Sequence, residues 1–217
     1  AGNMPNALES AGTPSLSNVM RRPSFVDEIA FDHEPREDVG RLLLASEREL
    51  QRRGLHTVLL TPAELLELNR QQLPSWAELM PMLDHRYHAI DPADMITVAP
   101  VDSAGRIVAT ISVRRLDIAV SVQDELESLR MFYGAQSAGK RARDKFVLTA
   151  PCGPHLKGNL YYMGGLWVHP EWRHAAMPWT LLRIVRYAAL VAWDPEYEIA
   201  LGTYSFLRPE VGGTYAY

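Results

Sequence analysis

The chemistry most legible in this chain is carried by the run Gly165-Leu166-Trp167-Val168-His169-Pro170-Glu171-Trp172-Arg173. It leads out of an aromatic, β-leaning stretch and, through a short turn, into the clearest helical stretch of the sequence. Such a junction presents backbone N–H groups without internal partners, together with the positive end of a helix dipole. Together they make an anion site suited to a phosphate or pyrophosphate. The turn continues as Arg173-His174-Ala175-Ala176-Met177-Pro178-Trp179. Pro178 lacks the N–H that would face an anion, yet its fixed φ suits the first turn of a helix.

Other constellations are weaker. Asp84, His85 and His88 are the best metal-like group, with Asp84 and His88 placed one helical turn apart. Neither an HExxH motif nor cysteine spacing accompanies them, so a surface or capping role is the expectation and no metal is assigned. Lys140, Arg141, Arg143 and Lys145 form a basic loop interrupted by Asp144, read as a solvated segment that could reach a nucleotide phosphate. His169 and His174 flank the turn. Cys152 lies in Pro151-Cys152-Gly153-Pro154 and reads as an inert loop cysteine. No Ser-His-Asp arrangement and no P-loop can be assembled.

The run Val168-His169-Pro170-Glu171-Trp172-Arg173, with Leu181-Leu182 on the helix after it, resembles the cofactor segment of the GNAT superfamily of acyl-CoA N-acyltransferases. In that family a Val-x-Pro-like turn feeds an Arg/Gln-x-x-Gly-x-Gly/Ala loop that holds the coenzyme A pyrophosphate. The resemblance spans roughly residues 25–205 and is specific only over 159–193. It implies acetyl-CoA or another acyl-CoA as cofactor. The residues it nominates for the cofactor are Trp167, Val168, Arg173, His174, Ala175, Ala176, Met177, Pro178 and Trp179. Ala176 and Pro178 stand where the family usually has small glycines; Ala176 fits there if its φ is negative.

The implied reaction is transfer of an acyl group to a small-molecule or protein amine. The family's leaving-thiolate acid is often a tyrosine after the fifth strand, for which Tyr204 is the nearest position and Tyr215 and Tyr217 weaker ones. The sequence nominates no base. The altered loop also admits a second reading, a GNAT-like binding or assembly module without catalysis. After Tyr204 the sequence is shorter than the family's usual last helix and two strands, which admits a trimmed fold, an incomplete sequence, or a partner chain that supplies the missing part, for instance in a homodimer.

The elements that must position this segment follow from periodicity. Residues 1–24, rich in Asn, Ser, Pro and Gly, read as a flexible N-terminal segment, and 25–217 as one domain. Phe25 to Phe31 alternates weakly, as a first strand would. Pro35 suits the first turn of a helix in which Val39, Leu42, Leu43 and Leu50 recur until Gly54. Thr57 to Leu60 is β-leaning. Thr61-Pro62 followed by Glu64 marks a helix start, and Trp76 to His88 reads as a further short helical piece interrupted by Pro81.

Met95 to Pro100 and Ile107 to Arg114 read as a hairpin closed by Asp102-Ser103-Ala104-Gly105. Ser121 to Tyr133 reads as helix and Phe146 to Thr149 as a short strand. Asn159 to Val168 is a strong strand, with a bulge expected at Gly164-Gly165. Alternation sends Tyr161 and Tyr162 to opposite faces. Pro178 to Trp193 is the clearest helix, with Arg183 and Arg186 on its wet side, and Glu198 to Tyr204 is the last strand. The expected fold is therefore mixed α/β: a mostly antiparallel GNAT-like sheet flanked by helices, with an extra helix before the long fourth strand.

Bulk composition narrows the function classes. Of 217 residues 47% are hydrophobic and 22% charged, as in ordinary globular proteins. A net charge of −4 argues against a protein built to grip phosphate backbones, so no nucleic-acid partner is expected. The single cysteine excludes an intrachain disulfide. No stretch approaches the ~18 apolar residues of a membrane span, and the first residues show no signal-peptide pattern. The expectation is a cytoplasmic protein.

Overall fold

The computed structural model describes residues 18–136, 144–173 and 176–202. A five-stranded sheet in the order β1-β2-β3-β4-β5 forms its middle layer. The strands are β1 (His56–Leu59), β2 (Met95–Val101), β3 (Ala109–Ile118), β4 (Gly158–Val168) and β5 (Tyr197–Ala200). The first three pairings are antiparallel and β4–β5 is parallel. The β2–β3 turn is set by Asp102, whose Oδ1 accepts from the amides of Ala104 (2.9 Å) and Arg106 (3.0 Å). Gly105 supplies the positive φ of 80° that this turn requires.

Among the described residues six α-helices cover the sheet: α1 (Phe25–Glu28), α2 (Arg36–Arg52), α3 (Pro62–Gln71), α4 (Val122–Glu127), α5 (Arg130–Tyr133) and α6 (Met177–Trp193). On one face α2 and α6 close a core containing Leu43, Leu50, Ile111, Val113, Leu181 and Val185. On the other face α3, a 3₁₀ turn at Pro81–Leu83, α4 and α5 enclose Leu65, Leu83, Leu126, Phe132, Leu160 and Tyr162. Period-2 alternation divides β3 between these layers. Ala109, Ile111 and Val113 point to α6, whereas Thr110 and Ser112 point away.

α6 is apolar around most of its circumference because it is enclosed on two sides. Residues from Met177 to Trp193 touch both the sheet and α2, and a helix buried this way has little polar face left. No helix among the described residues is long and apolar enough to cross a membrane.

Several elements depart from the sequence expectation. Phe25 to Phe31 is not a strand. Ser24 caps α1 by accepting from the Val26 amide, and Asp27 and Glu28 in its first turn favour the helix dipole. The stretch 76–88 holds only the 3₁₀ turn at Pro81–Leu83. Pro81 withholds an amide there, and buried Asn69 clamps the chain before it, donating to Ala77 O (2.9 Å) and accepting from Leu79 N (3.1 Å).

The helix read over Ser121 to Tyr133 breaks into α4 and α5 at Leu129, whose φ is 62°. Phe146 to Thr149 forms no strand; the Leu148 amide is taken by Glu127 Oε1 at 3.1 Å. The extra helical segment before the long strand is thus α4 and α5.

The helix start at Thr61 is as expected, with a full capping box. Thr61 Oγ1 accepts from the Glu64 amide and Glu64 Oε2 accepts from the Thr61 amide. Thr61→Ala is expected to lower stability by about 1 kcal/mol, read as a shift of the urea midpoint with unchanged slope.

Candidate functional site

The site is built around an irregularity in β4. Its register with β3 runs Thr110↔Trp167 and then Ser112↔Gly164, so Gly165 and Leu166 together oppose Ile111. One inserted residue is a β-bulge, and Gly165 adopts its left-handed φ of +64°. Thr110 Oγ1 donates to Gly165 O at 2.9 Å and fixes the bulge from the neighbouring strand.

The insertion reverses the alternation of the strand. Before it, Tyr161 and Met163 face α6; after it, Leu166 and Val168 take that side. Trp167 is sent to the opposite face, 3% exposed, among Val58, Leu60 and Leu68. Tyr161 and Tyr162 lie on opposite faces, as alternation requires.

β4 also outruns its neighbour. β5 pairs with it only from Leu160 to Met163, so among the described residues the edge from Gly164 to Val168 carries no strand on that side. The amino end of α6 stands at the carboxyl end of these two parallel strands. Its first-turn amides include those of Met177 and Trp179, with Pro178 between them. A strand edge that has no partner strand among the described residues and leads to a helix N-terminus is suited to an extended polar chain that ends in an anion.

Ala176, at the helix N-cap, has φ 49° and ψ 28°. The sequence reading allows alanine there on condition of a negative φ; the structure has the opposite sign. A left-handed conformation is costly for a residue with a Cβ, because Cβ crowds the following carbonyl oxygen. Ala176→Gly is therefore expected to raise stability by about 1 kcal/mol, after allowing for the freer unfolded glycine. Denaturant unfolding of the two proteins measures it.

The turn between the strand and α6 is tied to a distant segment. Arg173 donates from Nε to Val168 O (3.3 Å) and from Nη2 to Ser75 O (3.1 Å). Trp167 Nε1 donates to Ser75 Oγ at 3.1 Å, and the Trp167 ring stacks on Trp76 at 5.4 Å. His169 Nδ1 accepts from the Glu171 amide (3.3 Å), and Arg106 reaches Glu171 at 3.3 Å. Arg173 thus uses two donors to hold the turn against the chain after α3.

Of the residues nominated for a cofactor, Trp167, Val168, Arg173, Ala176, Met177, Pro178 and Trp179 gather at this end of the sheet. The Trp167 and Met177 side chains are buried, and Trp179 is 44% exposed. His174, Ala175 and Tyr204, with Tyr215, Tyr217, Lys140, Arg141 and Arg143, lie outside the described residues. Lys145 and Cys152 are exposed.

The remaining candidates resolve into structural roles. Asp84 and His88 do not share a helix. Asp84 is fully buried and is gripped by Arg86 through Nε (3.0 and 2.9 Å) and Nη2 (2.5 Å). His88 Nε2 meets Phe132 O at 2.9 Å, and burial together with the nearby Arg114 charge pulls its pKa below the usual imidazole value. No group of three metal-ligating side chains occurs among the described residues.

Burial pushes the Tyr162 hydroxyl up to about 12. Burial and the adjacent Glu198 carboxylate hold Tyr161 further above its ordinary range. Both remain protonated near neutrality. Arg183 pairs with Glu49 (3.1 Å), and Arg186 pairs with Glu198 through Nε and Nη2, both at 2.9 Å. The carboxylates Glu49 and Glu198 had no signal in the sequence, since each lies on a different element from its arginine.

Two cavities open elsewhere. One of about 430 Å³ lies between α3, the 78–87 segment and α5; another of about 460 Å³ lies between the second half of α6 and β5. Neither is lined by the described residues of the β4–α6 turn.

No family profile and no curated protein matches the sequence. Solved structures do. An aminoglycoside antibiotic 6'-N-acetyltransferase from Acinetobacter baumannii matches with a TM-score of 0.45 and 9% identity, over 76% of this chain and 91% of its own. Glucosamine-6-phosphate N-acetyltransferase from Arabidopsis thaliana follows at 0.40 and 12%, over 73% and 90%. A Trypanosoma brucei acetyltransferase also scores 0.40, at 13% identity over 73% and 91%. All three are acetyltransferases. The substrates in those names belong to those proteins.

Proposed function

We propose that this chain is an acyl-CoA-dependent N-acyltransferase of the GNAT type, moving an acetyl or other acyl group to an amine. The observation that carries the reading is the edge of β4 from Gly164 to Val168, which carries no partner strand among the described residues and leads toward the amino end of α6. A pantetheine arm is an extended chain of amides and suits such an edge as an added strand would. The pyrophosphate that follows suits the first-turn amides of Met177 and Trp179.

The bound cofactor would supply a thioester open to attack by a neutral amine: the C–N bond would form as the C–S bond breaks, and the proton leaving the nitrogen would balance the one taken up by the thiolate. The chain's task is positional. The bulge at Gly165 reverses which face the last residues of β4 present, with Leu166 and Val168 on the α6 side. Arg173, fixed to Val168 O and Ser75 O, holds the turn in place. A backbone N–H on that edge is the natural donor to the developing oxyanion. Tyr204 stays the proposed proton donor to the leaving thiolate. A small-molecule or protein amine is the proposed acceptor.

Calorimetric titration with acetyl-CoA and with coenzyme A, followed by thiol-release assays on a panel of amines, tests the reading. Micromolar binding with amine-dependent thiol release supports it. Absence of binding up to millimolar ligand would remove it in favour of a non-catalytic module of the same fold.

A further inference from the structure

The 430 Å³ cavity belongs to no part of the site above, yet one strip of chain joins the two. The segment between α3 and the 3₁₀ turn runs from the β4–α6 turn at one end to the cavity at the other. At the near end Ser75 and Trp76 receive Arg173 and Trp167. At the far end Glu78, Leu79 and Met80 line the cavity, and Leu73 lines it from the start of the strip. Trp76 packs against both buried clusters on this face of the sheet, the one around Trp167 and the one that holds Phe132.

The cavity walls are apolar and aromatic with a few charged groups. Tyr87 and Tyr133 meet edge to face at 5.4 Å, and Phe132 lies beside Tyr133. Four charges line the space: Arg70, Glu78, Asp84 and Arg86. Asp84 and Arg86 neutralise each other through the three short contacts described above. Arg70, by contrast, makes no hydrogen bond or ion pair among the described residues, and Glu78 makes none either, acting on Arg86 only at a distance. What remains is one open cation and one open anion beside an apolar chamber of ligand size.

We propose that this cavity binds a small zwitterion, an α-amino acid with an aromatic or large apolar side chain. Its carboxylate would meet Arg70, its ammonium Glu78, and its side chain the Tyr87–Phe132 wall. Occupancy moves the Leu73–Met80 strip and is felt at the Trp76–Trp167 stack. The second half of the inference, a consequence for the turn, rests on the function proposed above; the binding half does not.

Tryptophan fluorescence of the full chain, titrated with L-phenylalanine, phenethylamine and 3-phenylpropionate, tests it. Phenylalanine should give a saturable change, with each singly charged analogue at least tenfold weaker. Arg70→Glu and Glu78→Lys, both exposed positions, should each weaken phenylalanine binding at least tenfold without moving the thermal midpoint. In Trp76→Phe the optical signal should vanish while calorimetry still registers binding.

No saturable response, equal responses to the three probes, or indifference to both charge reversals would overturn the site. A signal that survives Trp76→Phe would overturn the link. Coenzyme A titration separates the two readings: a silent cavity beside intact coenzyme A binding removes only this inference. Phenylalanine binding without coenzyme A binding removes only the transferase.

Discussion

Gly165→Val is expected to lower stability by roughly 2–5 kcal/mol, more than any surface change in this chain. Two penalties combine. The residue holds a φ of +64°, and a side chain there costs about 1–2 kcal/mol, more when β-branched. A Cβ would also lie 3.1 Å from Leu83 Cδ1 and 3.2 Å from Ser112 Oγ, both inside the packed layer under β4. Forcing atoms into such a layer costs about 1–3 kcal/mol.

The chain has one escape, to expel the bulge. That shifts the strand by one residue and would turn Trp167 toward α6 and away from Ser75 and Trp76. Denaturant unfolding gives the energy, and near-ultraviolet circular dichroism reports the stacked indoles. Gly165→Ala serves as the milder companion. Stability within about 0.5 kcal/mol of the parent for the valine variant would mean that the bulge does not depend on glycine.

The second large effect concerns affinity. Pro178→Ala returns an amide to the second position of α6, beside those of Met177 and Trp179. If the turn takes a pyrophosphate, the added charge-assisted hydrogen bond is worth on the order of 1.5–3 kcal/mol, or ten- to a hundredfold in coenzyme A affinity. Stability should change little, since alanine and proline are both accepted in a first helical turn. Calorimetry on the two proteins decides. Equal affinities would place the phosphate elsewhere, whereas a gain confined to pyrophosphate-bearing ligands and absent for pantetheine would locate it at α6. Ala176→Gly complements this variant, since it changes backbone strain without adding a donor.

Much of the framework was legible in the chain because it rests on local rules. The box at Thr61 and Glu64, the Asp102–Gly105 turn and the long apolar helix ending at Trp193 each depend on residues close in sequence. The bulge announced itself through Gly164-Gly165, because only glycine takes such a conformation freely.

Elements misread from sequence were those whose signals compete. Phe25 to Phe31 alternates like a strand, but the Ser24 cap and the acids after it win. The 76–88 stretch has helical spacing, but Pro81 and the Asn69 clamp draw it out.

For the site, the sequence determined the turn and its helix dipole, since these need only residues 165–179. It could not decide that Ala176 lies at positive φ, a value imposed where the turn must meet α6. Nor could it decide that, among the described residues, β5 pairs with β4 only as far as Met163, because strand pairing is a contact between distant segments. The partners of Arg173, Arg186 and Asp84 were equally hidden, as were both cavities. Local sequence sets backbone preference and amphipathic period; which charges meet and where space remains depend on how the layers pack, and that only the tertiary structure decides.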